Sequence, residues 1–338
     1  MKKSVIGLLV VFALIISYVM IFEYGKGDTE AVIDIPLVVT KELVYEQVDI
    51  KVMAPLGSPA LAQTFMQYEM PSLGPKSTYE VEIVVGVDPL VAAFTSGSHD
   101  IIYAPTNLAA KLYNMGTEYI FAGSVVCGNL YLITTTEEEF TMDYLDGKEI
   151  VVFGQNATPD VVIQAILNNH EFENPPTLRY VPSAPDAQAE FIMDNTKVVL
   201  LAEPVISATK MKVSGIKSID LQEEWEVLTG AGAYPQAGVF VKKELIETRK
   251  DVVDNYLKVL EISTRQANEN PSVMADYAVE LGYGFPKPVL VNAIAASHIQ
   301  FYSAEDAKHC LLFYFNEIME LNPALLGDAF PDDDFYYN

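Results

Sequence analysis

Short polar side chains follow several of the apolar runs in this sequence within a few residues. Ser58, Asn107, Thr158 and Glu203 are examples, and each lies where the sequence changes from strand-like to helix-like. Hydroxyl, amide and carboxylate groups at such junctions, together with the free backbone N–H groups of a helix start, can bind a small molecule. The chemistry that these residue types support best is therefore reversible binding by hydrogen bonds.

Nine residues at or near predicted strand ends are the candidate ligand contacts. Glu203 is the ionisable one among them and can accept hydrogen bonds from an amino or amidine-like group, while Tyr234 offers a face for stacking. Tyr103 and Tyr131 are further candidates for the stacking role. Each polar side chain can also simply cap its own helix, and this alternative stays open. The nine candidates are Gly57, Ser58, Thr106, Asn107, Asn129, Asn156, Thr158, Glu203 and Tyr234.

Known catalytic motifs are absent from the sequence. It contains no Walker A loop, no zinc-protease helix, no Gly-x-Ser-x-Gly elbow and no Cys-x-x-Cys pair. Its four histidines show no metal-ligand spacing with one another or with carboxylates. We interpret the acidic run 332–334 as a solvated tail rather than a cation site. We therefore predict that the protein is not an enzyme and holds no metal and no cofactor.

Two segments share a pattern that starts a helix soon after a strand. In 52–62 and in 151–160, an apolar run ends at glycine and is followed by Ser58 or Thr158 and then by proline. Glycine permits a tight turn, serine or threonine is a good N-cap, and proline suits the first helical turn. Because the carboxyl ends of strands in an open α/β sheet face the ligand crevice, these helix starts are expected to meet a small molecule.

Strand and helix patterns alternate in two series, which predicts two α/β lobes built on parallel sheets. The second series begins at Lys148, and the region 244–321 after it is predicted to be almost entirely helical. We predict that 32–133 and 234–338 form one lobe, that 134–233 form the other, and that two crossing strands join them.

A glycine pair at positions 230 and 232 lies between the second series and the strand-like segment 237–241. A hinge at this point would let one lobe swing against the other with few changes in φ and ψ. An ordinary glycine-rich loop fits the same residues, so both interpretations stay open.

The N-terminus carries a targeting or anchoring segment. Two lysines precede an almost unbroken apolar stretch, residues 5–22, which at about 1.5 Å per residue is just long enough to cross a bilayer. The lysines place its start in the cytoplasm, so the chain after residue 23 is expected to lie outside. We predict that residues 1–25 are an uncleaved membrane anchor, with a cleaved secretion signal as the alternative.

The charge balance excludes one class of partner. The 338 residues include 46 acidic and 21 basic ones, a formal net charge of −25. Phosphate binding needs clustered Lys and Arg, so we expect no nucleic-acid partner, and a self-repelling surface favours a monomer. Cys127 and Cys310 are interpreted as reduced thiols, although a disulfide outside the cytoplasm stays an open alternative.

Four segments in a fixed order give the chain a resemblance to a known family. They are Ala-Pro-Leu-Gly-Ser-Pro-Ala at 54–60, the stretch 100–110, Leu-Asp-Gly-Lys at 145–148 and Leu-Ala-Glu-Pro at 201–204. Over about residues 43–270, the chain resembles the solute-binding proteins of ABC importers of the nitrate, sulfonate, taurine and thiamine-pyrimidine-precursor group.

The resemblance implies a two-lobed, periplasmic-binding-protein-like α/β fold of type II with two crossover strands, here preceded by an N-terminal hydrophobic helix. It also implies extracytoplasmic capture of a small organic nutrient and delivery to an ABC permease and its ATPase. Ser58, Asn107, Asn156, Thr158 and Glu203 fall where the ligand contacts of this family come from. The chain departs from the lipoprotein pattern because no cysteine follows the apolar segment, so attachment by the N-terminal helix is our own expectation.

Two other functions are compatible with the same fold. One is an enzyme of thiamine-pyrimidine or menaquinone synthesis, although the leader and the scarcity of cysteine disfavour it. The other is a tethered domain that senses a ligand without transporting it. Neither the sequence nor the resemblance fixes the identity or charge of the ligand.

Overall fold

The computed structural model describes residues 45–230 and 232–338. In these two stretches the chain forms eleven β-strands and twelve α-helices. The predicted N-terminal anchor, residues 1–25, and the first residues of the predicted lobe 1 lie outside the described residues. None of the described helices is both long and apolar enough to cross a membrane.

The strands are short and alternate with helices along most of the chain. They are β1 (Val48–Pro55), β2 (Ser77–Val84), β3 (Ile101–Pro105), β4 (Tyr119–Val126), β5 (Leu130–Thr134), β6 (Glu149–Phe153), β7 (Thr177–Val181), β8 (Val198–Ala202), β9 (Lys217–Asp220), β10 (Ala237–Lys242) and β11 (Ile299–Ser303).

The helices follow the strands in the order expected of βα units, and the longest come after β10. They are α1 (Ser58–Ala62), α2 (Thr64–Glu69), α3 (Asp88–Ser96), α4 (Thr106–Asn114), α5 (Thr158–Asn168), α6 (Ala184–Met193), α7 (Val205–Lys210), α8 (Leu221–Thr229), α9 (Lys243–Glu269), α10 (Pro271–Glu280), α11 (Lys287–Ala295) and α12 (Ala304–Leu321).

The strands form two separate mixed sheets. The first has the order β11-β4-β10-β3-β1-β2, and the second has the order β7-β6-β8-β5-β9. The pairs of β1 with β2 and β3, and of β6 with β7 and β8, are parallel. The pairs made by β4, β5 and β10 are antiparallel, so the prediction of parallel sheets was wrong for this part of each sheet. The α/β prediction itself is confirmed, with two mixed sheets and helices between their strands.

The chain passes from one sheet to the other twice. The first passage is the short segment 127–129 between β4 and β5, and the second lies between α8 and β10. Strand β5 pairs with β8 and β9 of the second sheet, so the sheets change a few residues before the predicted lobe boundary at 133/134. The lobe boundaries themselves stay a prediction.

The two passages touch at Gly128 and Tyr234. Gly128 has φ +106°, and a β-carbon there would lie 3.0 Å from Cζ of Tyr234 and 2.6 Å from Oε1 of Gln222. Glycine is required at this position both for its backbone conformation and for the close approach.

The structure differs from the sequence-based predictions at two further places, both in the C-terminal half of the chain. Strand β11 lies in a region that was predicted to be almost entirely helical, and it forms an edge of the first sheet by pairing with β4. The acidic run 332–334 is not a free tail, because Asp332 accepts a hydrogen bond from the Tyr113 hydroxyl and Asp333 forms an ion pair with Lys308. The ring of the buried Phe335 stacks with that of Phe121 at 5.9 Å.

Apolar residues of both sheets belong to one core. Its members include Phe240 of β10, Val152 of β6 and Tyr314 of α12, all fully buried. A second cluster packs β1, β3 and β10 against the helices α9 to α11. Burial of this apolar area supplies the main stabilisation of the fold and brings the ends of the two sheets together.

Candidate functional site

A cavity of about 400 Å³ lies at the carboxyl ends of three parallel strands, namely β1 and β3 of the first sheet and β6 of the second. This is the position in which open α/β sheets bind ligands. Most of its wall is apolar, with contributions from Pro55, Leu108, Phe153, Pro159 and Leu325. The volume is in the range of small-molecule sites.

Two polar side chains meet across the cavity. Asn107 in the first turn of α4 and Thr158 in the first turn of α5 both line it, and Thr158 Oγ1 donates a hydrogen bond of 3.3 Å to Asn107 Oδ1. This bond uses the amide oxygen of Asn107, so the amide group presents its nitrogen as a remaining donor. Helix α4 follows the first sheet and α5 the second, so the contact links the two halves of the fold.

Lys111 brings a positive charge to the same wall. It lies one helical turn after Asn107 on α4, and side chains four residues apart share a helix face. It makes no ion pair with any described residue. Among the described residues that line the cavity, Lys111 is the charged one.

The starts of α4 and α5 lack side-chain caps. Pro105 and Ala157 occupy the N-cap positions, and neither helix start is capped by a side-chain hydrogen bond. The prediction that Ser58 and Thr158 are N-caps was therefore wrong, since the N-cap of α1 is Gly57 and both hydroxyls bond to more distant residues. The uncapped N–H groups and the positive end of each helix dipole favour negative charge nearby. Asp160 supplies such a charge in the first turn of α5, whereas the first turn of α4 holds no acidic residue.

Asn129, in the first passage between the sheets, lines the cavity with a buried side chain. Its Nδ2 donates to Ser58 Oγ at 2.9 Å, and Ser58 lies behind the cavity wall as part of a buried network with Ser297. The side-chain oxygen of Asn129, Oδ1, accepts no hydrogen bond from any described residue. Gln236, in the second passage, also lines the cavity and has a buried Oε1 without a described partner.

Asn156 is an exposed lining residue. Its left-handed backbone, φ +58°, lets its N–H donate to Asp160 Oδ2 at 2.7 Å. Its side-chain Oδ1 accepts from Nδ2 of Asn322, which follows α12, at 3.2 Å. The residue therefore joins the rim of the cavity to the C-terminal region.

Five of the nine predicted contacts lie outside the cavity lining, and Thr106 and Gly57 are two of them. Thr106 is buried, and its Oγ1 donates to the carbonyl of Pro235 at 2.6 Å, which ties α4 to the second passage. Gly57 serves as the N-cap of α1 with φ +127°. Both residues position the site without forming its surface.

Glu203 points back to its own helix. Ser207 Oγ donates to Glu203 Oε1 at 3.0 Å, and the Ser207 N–H donates to Oε2 at 3.3 Å. Burial raises the pKa of Glu203, and the bonds from Ser207 offset only part of that effect. The carboxylate is not part of the described cavity lining. It pairs two donors in the first turn of its own helix, which is the structural alternative that the sequence left open.

Tyr234 is also buried away from the cavity. Its ring packs edge-on against Trp225 at 5.4 Å and lies 6.4 Å from Tyr314. The other two candidates for stacking, Tyr103 and Tyr131, also form hydrogen bonds within the protein. The Tyr103 and Tyr256 hydroxyls are 2.8 Å apart, and the Tyr131 hydroxyl donates to the carbonyl of Ala296 at 2.6 Å. The aromatic face on the cavity belongs instead to Phe153, which the sequence analysis did not select.

A second, smaller cavity of about 230 Å³ is lined by both cysteines. Neither forms a disulfide, and Cys127 is buried whereas Cys310 is partly exposed. Burial raises the pKa of Cys127 to about 12, so this thiol stays protonated and unreactive at neutral pH.

Comparison with solved structures identifies the fold. An ABC transporter from Parabacteroides distasonis aligns with a TM-score of 0.75 and 23% identity over 86% of this chain and 98% of that one. The periplasmic aliphatic sulphonate-binding protein SsuA from Escherichia coli aligns with a TM-score of 0.64 and 15% identity over 84% of this chain and 91% of that one.

The alkanesulfonate-binding protein SsuA from Xanthomonas axonopodis pv. citri, bound to MOPS, aligns with a TM-score of 0.58 and 15% identity over 85% of this chain and 96% of that one. The chain thus has the fold of the solute-binding proteins of ABC importers, as the sequence predicted.

The family profile described as menaquinone biosynthesis matches residues 57–305. The chain belongs to this family. No curated protein sequence matches the chain.

Proposed function

We propose that the protein is the extracytoplasmic solute-binding component of an ABC importer and that it holds a small organic anion in the cavity. One observation carries the proposal: Asn107 and Lys111 share the cavity wall with the uncapped starts of α4 and α5, where the two sheets end. An ammonium group, an amide N–H and the positive end of α4, whose first turn holds no acidic residue, all favour negative charge. The apolar remainder of the wall suits an organic body.

The contact between Thr158 and Asn107 supports capture by closure of the two lobes. It is a single weak bond at 3.3 Å between helices that follow different sheets. A bond of this kind can form and break as the lobes close and open around a solute. In this proposal the closed form then docks on a permease that works with an ATPase.

The test is a thermal-shift screen of the full chain in detergent against alkanesulfonates, taurine, nitrate, aminopyrimidines, thiamine and riboflavin. A solute at about a hundred times its Kd should stabilise the folded state by roughly 2.7 kcal/mol. We expect hits among the organic anions, and calorimetry should show that Lys111→Met weakens them at least tenfold. Lys212→Met, at an exposed position, is the matched control. Hits confined to neutral or basic compounds would contradict the anion assignment.

The delivery step needs a separate test. If the protein serves an importer, the loaded protein should stimulate ATP hydrolysis by a permease and ATPase encoded beside it. A neighbouring kinase or cyclase that responds to the solute would instead indicate a sensing domain. Membrane attachment through residues 1–25 is part of the proposal, and finding the full-length chain free in the medium would contradict it.

The family match favours a second candidate, an enzyme of menaquinone biosynthesis. In such an enzyme Lys111 would be the ionisable group at the substrate, because the carboxylate of the nearby Asp160 is already bonded to Asn156, Gln164 and Tyr180. Mass analysis of a bound solute after long incubation separates the two candidates. A binding protein returns the solute unchanged, whereas an enzyme releases a product that Lys111→Met fails to make.

A further inference from the structure

The buried hydrogen bonds beneath the cavity run in one direction. The carbonyl of Ala293 can only accept, and Ser297 Oγ lies 2.6 Å from it. Ser297 therefore donates its single proton to that carbonyl and must accept at its oxygen from Ser58, at 2.9 Å. Ser58 has then used its own proton, so its oxygen can only accept from Asn129 at 2.9 Å.

This chain of bonds fixes the amide of Asn129. The nitrogen Nδ2 must face Ser58, and the same nitrogen also lies 3.5 Å from the carbonyl of Glu203, which is another pure acceptor. The oxygen Oδ1 is consequently held on the other side of the amide. It is buried and accepts nothing from the described residues, although Asn129 lines the cavity.

A second unpaired acceptor oxygen, besides that of Asn129, belongs to Gln236. Gln236 lines the same cavity, and its Oε1 is buried without a described partner. Buried amide oxygens are normally paired. Gln63 and Gln222 carry unpaired ones away from the cavity, whereas Asn129 and Gln236 line it, so these two oxygens can be paired by a donor from outside the chain. The residues that line the cavity thus carry donor groups at Asn107 and Lys111 and unpaired acceptor oxygens at Asn129 and Gln236.

We propose that the solute is an organic anion that also carries a hydroxyl or amino group, and that Asn129 Oδ1 accepts the hydrogen bond from that group. The inference rests on the proposed function and deepens it, because it names the class of anion. A hydroxy- or amino-substituted carboxylate or sulfonate satisfies both kinds of wall group, whereas a plain alkyl or aryl anion leaves Asn129 unpaired. Sites built to bond a substrate hydroxyl discriminate strongly against analogues that lack it.

The experiment uses matched probes on the full chain in detergent. Calorimetry compares isethionate with ethanesulfonate and 3-hydroxybenzoate with benzoate, since each pair differs by one hydroxyl. We expect the hydroxylated member of at least one pair to bind ten times more tightly or better. In Asn129→Leu, which keeps the bulk and removes the acceptor, the ratio should fall below three.

A second variant tests the directional argument without touching the cavity. Ser297→Ala frees the Ser58 proton to point at Asn129, so the amide can turn over and the preference for a hydroxyl should shrink at least threefold. Thr264→Ala, another buried hydroxyl of the same half of the fold, is the control and should leave the ratio unchanged. Ser297→Ala also tests the proposal if Asn129→Leu does not fold.

The outcomes separate the two proposals. Equal binding of both members of each pair overturns this inference and leaves the anion-binding function standing. Binding of none of the four anions, under conditions in which the chain is folded, overturns both. A hydroxyl preference that survives Asn129→Leu and Ser297→Ala unchanged overturns the assignment to Asn129.

Discussion

Thr158 Oγ1 donates to Asn107 Oδ1 at 3.3 Å, and this bond joins the first turns of two helices that follow different sheets. Replacing Thr158 with valine keeps the shape and removes the bond. We expect the affinity for a solute that fits the cavity to fall three- to tenfold, because a net hydrogen bond contributes about 0.5–1.5 kcal/mol to the closed form. Titration calorimetry measures this loss. Thr78→Val, which breaks a bond within the first sheet, should leave affinity unchanged.

Gly128→Ala should be among the most damaging small substitutions in the chain. Alanine there has to adopt φ +106° and to displace the ring of Tyr234 and the amide of Gln222. We expect the free energy of unfolding to fall by about 2–4 kcal/mol, measured by urea titration. Gly215→Ala is the control, since Gly215 has φ +75° with open space around it. Equal losses in the two variants would show that backbone strain alone matters and that the contact between the passages does not.

Glu203→Ala should affect stability rather than binding. The carboxylate holds the N–H and hydroxyl of Ser207 and does not line the described cavity. Its removal leaves these donors unpaired and should lower the free energy of unfolding by about 1–3 kcal/mol. Solute affinity should stay within threefold of the wild type. A tenfold loss of affinity with an unchanged melting temperature would restore Glu203 as a ligand contact. Glu171→Ala, at an exposed position, is the control.

His298 makes stability depend on pH near neutrality. Burial lowers the pKa of His298, but the hydrogen bond and charge of Asp220 at 2.9 Å outweigh it, so the pKa lies above the ordinary value of 6.5. A raised folded-state pKa stabilises the protein most below the unfolded value, and the gain is lost as pH rises through the folded value. Since His298 precedes β11 and Asp220 ends β9, the pair ties the two sheets together.

The expected loss between pH 6 and pH 8.5 is about 1 kcal/mol or less, because the pair is only partly buried. Urea titrations across this range should show it in the wild type and not in Asp220→Asn, which retains the cap on Gln222. His298→Asn is a second suitable variant, since asparagine tolerates the left-handed backbone at φ +44°. His309→Gln should keep the full dependence. A wild-type stability that does not change over this range would contradict the predicted contribution of the pair.

Phe335 should contribute far more to stability than its neighbour Phe330. The ring of Phe335 is fully buried against Phe121, Phe240 and Tyr113, whereas Phe330 is 43% exposed. We expect Phe335→Ala to cost about 3–5 kcal/mol and Phe330→Ala less than about 0.5 kcal/mol, as thermal and urea unfolding can compare. Similar small losses in both variants would mean that the C-terminal residues are not part of the core.

The βα units were predictable because their signals are local. An apolar run such as 198–201, bounded by polar residues and a proline, is typical of a buried strand, and the structure has β8 at Val198–Ala202. Strand β11 was missed because five residues between two helices carry no strong period, and they form a strand only by pairing with the distant β4. Tertiary pairing of this kind cannot be seen in a local window.

The position of the cavity was predictable from the sequence, whereas the contacts of individual side chains around it were less so. Asn107, Asn129, Asn156 and Thr158 line the cavity as strand-end residues should. The role of Ser58 depends on Ser297, a partner far away in sequence. That of Glu203 depends on the direction of its side chain, which turns to Ser207 of its own helix. Lys111 was overlooked, although its spacing of four residues from Asn107 on a predicted helix was a usable signal.

The bonds that end at Ala293 have an electronic consequence for the site. Ala293 lies in the last turn of α11, where backbone carbonyls lack intrahelical donors and carry the negative end of the helix dipole. An amide that donates through its N–H becomes a better acceptor at its oxygen, and successive bonds in a row strengthen this polarisation. The oxygen of Asn129 is therefore more electron-rich than that of an isolated asparagine, and α11 tunes the cavity from a distance without forming any of its wall.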